Sequence, residues 1–167
     1  MILAVSAATG FAQNTDVEKK LKEMGLELIT PPKPMANYVR SVRTGNLVYL
    51  AGHGPTKADG SNITGKLGKD MTIEQGYEAA KQTGIALLSS LKAEIGDLSK
   101  VKRIVKVLGM VNCTPDFTDQ PKVINGFSDL MVGLYGEKGK HARSAVGMIS
   151  LPNNIAVEIE MIVEVEN

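Results

Sequence analysis

The chain has 167 residues, 43% of them hydrophobic, which fits a single domain with one sizeable core. A formal net charge of +1, no Trp, three Phe and four Tyr exclude the strongly basic or aromatic-rich surfaces of a dedicated nucleic-acid or membrane binder. A lone cysteine, Cys113, excludes an intrachain disulfide and a Cys-rich metal site.

The chain opens on small apolar residues from Ile2 to Ala8, followed by Gly10, Phe11 and Ala12. This start reads equally as the back half of a secretory signal and as a short apolar terminus. It is too short to span a bilayer. Asp16 to Met24 predicts a short helix, with Thr15 as cap and Gly25 as stop. Only Val17, Leu21 and Met24 give it an apolar edge, so a surface position is expected. Leu26 to Thr30 reads as a strand, and Pro31 to Pro34 as a stiff extended linker.

Tyr38 to Arg43 and Leu47 to Ala51, separated by Thr44, Gly45 and Asn46, predict a hairpin. Thr56 to Asp70 is polar and glycine-rich, hence a loop with room for one short strand. Within it, Gly60 to Leu67 (GSNITGKL) imitates a phosphate-binding loop up to its last position, where Leu67 replaces the magnesium-holding hydroxyl. No helix is expected at Lys66, so a nucleotide site is not supported. Gly52 and Gly54 lack the third glycine of a dinucleotide fingerprint.

Thr72 to Ile95 is the clearest helix. Thr72 or Asp70 caps it, and Ile73, Tyr77, Ala80, Gly84, Leu87, Leu91 and Ile95 form one stripe closed by Gly96. Val101 to Val111, rich in β-branched residues, predicts a strand, and its Lys102, Arg103 and Lys106 read as solvated charges. Asp116 to Tyr135 predicts a second helix starting near Pro121, with Ile124, Phe127, Met131 and Leu134 inward and Gly136 at its end.

The last quarter, His141 to Val165, holds two runs rich in Val and Ile around Pro152, Asn153 and Asn154, and predicts a hairpin. Val157, Ile159, Met161, Val163 and Val165 alternate with Glu158, Glu160, Ile162, Glu164 and Glu166, so one face is apolar and the other mostly acidic. Arg143 opens the first run, and hairpin pairing would bring it near Glu158, where the residues alone read first as a plain ion pair and second as a site. The order of elements implies an α+β fold, two helices packed on one face of a mixed sheet.

Few residues offer chemistry. His53 and His141 lack the spacing of a metal trio. Cys113 reads as a small apolar filler rather than a nucleophile, and Ser144 has no obvious base.

The segment HARSAVGMISLP followed by VEIE, residues 141–152 and 157–160, resembles the C-terminal hallmark of the reactive intermediate deaminase family (RidA/YjgF-like, also called endoribonuclease L-PSP). The resemblance continues through Asn37-Tyr38-Val39, Gly45-Asn46-Leu47 to Gly52, Gly96 to Lys102, and Val123-Ile124-Asn125, covering about residues 36–165. It implies a chorismate-mutase-like fold for residues 36–167, preceded by an N-terminal extension over residues 1–35.

The resemblance also implies an activity: hydrolysis of reactive enamine and imine intermediates, such as 2-aminoacrylate released by pyridoxal-phosphate enzymes, to 2-keto acids and ammonia. By position, Arg143 would bind the substrate carboxylate and Glu158 would orient or activate water, with Tyr38, Gly52 and Asn125 lining the pocket. No cofactor or metal is implied. A homotrimer is implied, with Arg143 and Glu158 from one chain and part of the wall from its neighbour. The implied location is cytoplasmic, or periplasmic or secreted if residues 1–12 end a signal. Alternatives are a non-catalytic sensor of small carboxylates at Arg143 and an endoribonuclease or translation inhibitor, which the near-neutral charge disfavours. Ala145 stands where the family often has cysteine and His53 where glutamine is common, which bears on the preferred substrate.

Overall fold

The computed structural model describes residues 17–31 and 36–166. In chain order its elements are α1 (Val17–Glu23), β1 (Ser41–Thr44), β2 (Leu47–His53), α2 (Ile73–Ile95), β3 (Val101–Asn112), α3 (Gln120–Tyr135), β4 (Ala142–Met148) and β5 (Val157–Val165). The strands form one five-stranded sheet in the order β1-β2-β5-β3-β4, antiparallel except for the β3–β4 pair. Helices α2 and α3 pack together and against the sheet, the expected α+β arrangement. The apolar N-terminal start, the Thr15 cap and Pro32 to Pro34 of the linker lie outside the described residues.

Local chemistry accounts for most of these elements. Thr72 and Gln75 form a reciprocal capping box at the start of α2, and Gly96 ends the helix at a φ of 80°. Pro121 sits in the first turn of α3, where its missing N–H is harmless. Thr44 pairs with Leu47 around Gly45, whose φ of 58° suits the tight turn. The alternation of β5 holds throughout, with Val157, Ile159, Met161, Val163 and Val165 all buried. Helices α2 and α3 approach so closely that a Cβ on Gly126 would lie 2.0 Å from the Tyr77 carbonyl oxygen.

Three expectations are corrected. Leu26 to Thr30 forms no strand: the Ile29 amide donates to the Ser89 hydroxyl at 3.0 Å, so this stretch lies along α2. The surface position expected of α1 needs one amendment: Lys19 and Glu23 are exposed, but Val17 and Leu21 are buried in the main core and the helix contacts α3. The C-terminal runs form two strands but not a hairpin, since β3 lies between them. Asn153 and Asn154 do turn the chain, at φ of 52° and 56°. A turn fixes reversal and not adjacency. The parallel β3–β4 pair is joined through α3, the long crossover such a pair requires, and β5 takes the other edge of β3.

Candidate active site

Register decides where the acidic face of β5 meets β2. Leu50 pairs with Met161 and His53 with Ile159, so three residues of β2 span two of β5, a bulge at Ala51–Gly52. The extra residue switches the alternation. His53 turns into the helix layer, where it is 4% exposed, and Gly52 faces Glu158. A Cβ at position 52 would stand 2.0 Å from Glu158 Oε1, so the missing side chain makes the room this carboxylate occupies.

Around Glu158 lies a cavity of about 260 Å³, lined among others by Tyr38, Arg40, Gly52, His53, Ser90 and Pro152. The Glu158 carboxyl is pushed above its ordinary 4.5, first by burial and then by the charge of Glu160 two residues on. The upward shift makes its carboxylate a stronger base than a solvated one.

His53 is held from both sides. Its Nδ1 lies 2.7 Å from the Ala51 carbonyl, which can only accept, so Nδ1 carries the proton. Its Nε2 therefore accepts from the Ser90 hydroxyl at 2.7 Å. Burial lowers the pKa below 6.5, the Ala51 bond offsets part of this, and the nearby Arg40 charge lowers it further. The ring is neutral at pH 7 and shapes the cavity floor.

Loops complete the wall. Asn112, 1% exposed, places its Nδ2 3.0 Å from the Gly65 carbonyl, 2.9 Å from Asn154 Oδ1 and 3.2 Å from the Ile155 carbonyl. It ties the glycine-rich loop to the turn before β5. The phosphate-loop imitation contributes Asn62 to this wall; its Lys66 donates Nζ to the Ile149 carbonyl, and α2 begins only at Ile73.

Arg143 belongs to a second cluster. Its Nη1 donates to Asn125 Oδ1 at 3.0 Å and to Ser128 Oγ at 2.9 Å, both on α3. The Ser128 hydroxyl lies 3.1 Å from His141 Nε2, and His141 Nδ1 lies 2.7 Å from the Gly139 carbonyl. Gly139 accepts from Nδ1, so Nε2 accepts from Ser128, whose oxygen is left to receive Arg143. The guanidinium is thus aimed through one nitrogen, while Nε and Nη2 form no hydrogen bond with the described residues. Burial lowers the His141 pKa, partly offset by the Gly139 bond, and the Arg143 charge lowers it further.

The two clusters do not meet within one chain. Arg143 pairs with Val107, which pairs with Met161, three residues from Glu158 on β5. Two strand spacings of about 4.8 Å and three rises of about 3.3 Å separate their Cα atoms by roughly 14 Å. The expected proximity of Arg143 and Glu158 is therefore corrected. Tyr38, Gly52 and Glu158 share the cavity, and Asn125 and Arg143 share a hydrogen bond outside it.

Other candidates resolve simply. Cys113 is buried beside Gly147 with Gln120 Nε2 3.8 Å from its sulfur, a packing position. Ser144 accepts a hydrogen bond from Lys106. Arg40 and Ser90 were missed in the sequence. Arg40 was detectable, standing two residues after Tyr38 in the predicted strand and so expected on the same side of it.

Residues 18–165 match the family described as "YjgF/chorismate_mutase-like, putative endoribonuclease". The chain belongs to the YjgF/RidA family. Among its relatives, Protein TCP17 of Trypanosoma cruzi is 40% identical over 152 residues, covering 90% of this chain and 95% of that one. The 2-iminobutanoate/2-iminopropanoate deaminase of Dermatophagoides farinae is 29% identical over 136 residues, covering 81% and 91%. The crystal structure of protein Atu1372 from Agrobacterium tumefaciens superposes with a TM-score of 0.86 at 41% identity, covering 92% and 94%. Among the described residues of this YjgF/RidA chain, no helix is long and apolar enough to cross a membrane.

Proposed function

We propose that this YjgF/RidA protein hydrolyses 2-imino acids, and the enamines in equilibrium with them, to 2-keto acids and ammonia. The observation that carries the reading is the Glu158 carboxylate, of raised basicity, standing in a small cavity in the space that Gly52 leaves open. The relative from Dermatophagoides farinae, named for this activity, adds support.

In the proposed reaction Arg143 holds the substrate carboxylate through the part of its planar fork that Asn125 and Ser128 leave unused. Glu158 takes a proton from water as the water oxygen bonds to the imine carbon, and the C=N electron pair moves to nitrogen, which becomes protonated. The hydroxyl proton then passes to the nitrogen as the C=O bond forms and the C–N bond breaks, so nitrogen leaves as neutral ammonia. Imino acid and water thus yield keto acid and ammonia. Tyr38 and Gly52 bound the cavity, and Asn125 orients Arg143.

Because one chain holds Arg143 and Glu158 apart, the proposal includes a homotrimer in which the Arg143 cluster of one subunit closes the Glu158 cavity of the next. Exposed Val42 and Tyr49 give the open sheet face apolar surface suited to such burial. A monomeric mass by light scattering at micromolar concentration would refute the assembly.

The direct assay is ammonia release from freshly generated 2-aminoacrylate. Glu158→Gln keeps shape and hydrogen bonding but removes the base, and should lower turnover by about 10²-fold while still binding a 2-keto acid. Arg143→Lys keeps charge but loses the fork, and should weaken that binding. Absence of wild-type activity with Arg143-dependent keto-acid binding intact would replace the enzyme with a carboxylate sensor.

A further inference from the structure

The Glu158 cavity contains a cation that this chemistry does not use. Arg40 lines it, just before β1, with a planar guanidinium fork. Its hydrogen bonding is poorly met. Nη1 lies 3.4 Å from His53 Nε2, but that nitrogen has one lone pair, already taken by the Ser90 hydroxyl at 2.7 Å. The other ring nitrogen is committed to the Ala51 carbonyl. Arg40 Nε is buried with no partner. Among the described residues no carboxylate forms an ion pair with this guanidinium.

Glu158 lines the same cavity but is not the missing anion. Its carboxyl is shifted upward by burial and by Glu160, the opposite of what a close guanidinium would do. His53 is neutral. Nε is sealed from the cavity, so the donors that an anion entering it can meet are those on the Nη nitrogens. Nη2 has no partner among the described residues, and a carboxylate matches the planar edge.

We propose that Arg40 binds a second carboxylate of the ligand, so that the cavity selects 2-imino dicarboxylates over 2-imino acids with alkyl side chains. This rests on the deaminase reading of the same cavity: Arg143 takes the carboxylate beside the imine, and Arg40 takes the one on the side chain. Arg40 stands against His53 in the wall of this cavity, so the pair would set this chain's substrate.

The test is calorimetric titration of the full chain with two keto acids, 2-oxoglutarate and 2-oxobutanoate, for wild type, Arg40→Gln and Arg40→Lys. Wild type should bind 2-oxoglutarate about tenfold to a hundredfold more tightly, the worth of one charge-assisted contact. Arg40→Gln should bring the ratio toward one, and Arg40→Lys, with the charge but not the fork, should keep part of it. The ratio is insensitive to a uniform loss of fold. Equal wild-type affinities would overturn the proposal. So would a preference that survives Arg40→Gln, or a loss of both ligands in equal proportion. Ammonia release from both 2-iminoglutarate and 2-iminobutanoate is measured in parallel. Its absence beside an Arg40-dependent preference would sink the deaminase reading alone, and its presence without that preference would sink this proposal alone.

Discussion

Gly52→Ala separates catalysis from stability more cleanly than removing Glu158 itself. Gly52 is not among the positive-φ glycines, so alanine fits the backbone. Its Cβ would meet Glu158 Oε1 at 2.0 Å, Cδ at 2.9 Å and Cγ at 3.1 Å, all in the outer part of a flexible side chain. Glu158 therefore yields by changing rotamer. Moving it off its preferred rotamer costs about 0.5–1.5 kcal/mol, and the lost flexibility of the unfolded chain returns about 0.4–1 kcal/mol. The net is within about 1 kcal/mol, a change of roughly 2–4 °C in Tm for a chain of this size. The carboxylate is nevertheless displaced by more than an ångström, which should lower kcat/KM by about 10²-fold. The experiment pairs calorimetric melting with ammonia release from 2-aminoacrylate. Combining the change with Glu158→Gln should cost little more than either alone, because both remove one function. Wild-type kcat/KM in Gly52→Ala would refute the claim that this glycine reserves the place of the carboxylate. A fall in Tm of about ten degrees would refute the claim that only a flexible side chain stands in the way.

Gly126→Ala should behave in the opposite way: its Cβ would meet the Tyr77 carbonyl oxygen at 2.0 Å and Lys81 N at 3.2 Å, both in the backbone of α2. Helix backbones cannot step aside as a side chain does, so a loss of about 1–3 kcal/mol or more is expected in denaturant melts, and an unchanged midpoint would show the α2–α3 contact to be looser. Glu160→Gln removes one of the two causes that raise the Glu158 pKa, while burial, the larger, remains. Activity that needs the carboxylate is lost as pH falls through this raised pKa, so the acid limb of the kcat/KM profile should move to lower pH, and an unmoved limb would exclude Glu158 as its source. Stability carries its own sign: an acid with a raised folded pKa is fully accommodated below its unfolded pKa of about 4.5 and weakens the fold as pH rises through the folded value. Glu160→Gln should therefore slightly raise Tm at neutral pH, which the same melts read.

Much of this protein was determined by local sequence alone. The spacing of Ala80, Gly84, Leu87 and Leu91 and the Thr72 cap set α2, because a helix closes its hydrogen bonds within four residues and its stripe shows in any short window. The alternation from Val157 to Val165 set which face of β5 is buried, because pleating alone sends neighbours to opposite sides. Gly45 and Pro121 marked a turn and a helix start by their own backbone limits. The motifs around Arg143 and Glu158 were equally legible as residues. What they do to one another was not.

Strand neighbours are chosen by long-range packing, so the turn at Asn153 and Asn154 did not tell whether β4 and β5 would pair. The crossover through α3 gave β4 one edge of β3 and left β5 the other, which put Arg143 and Glu158 in separate clusters. The bulge at Ala51–Gly52 appears only when β2 is laid against β5, and it alone sends His53 inward to Ser90. The burial of Val17 and Leu21 likewise needed the surface of α3. Arg40 acquired meaning last: its charge is written in the sequence, but the lack of an ion pair to it among the described residues is a property of the folded neighbourhood. Periodicity is a property of one segment, whereas pairing, register and the company a charge keeps belong to segments that meet only when the chain has folded.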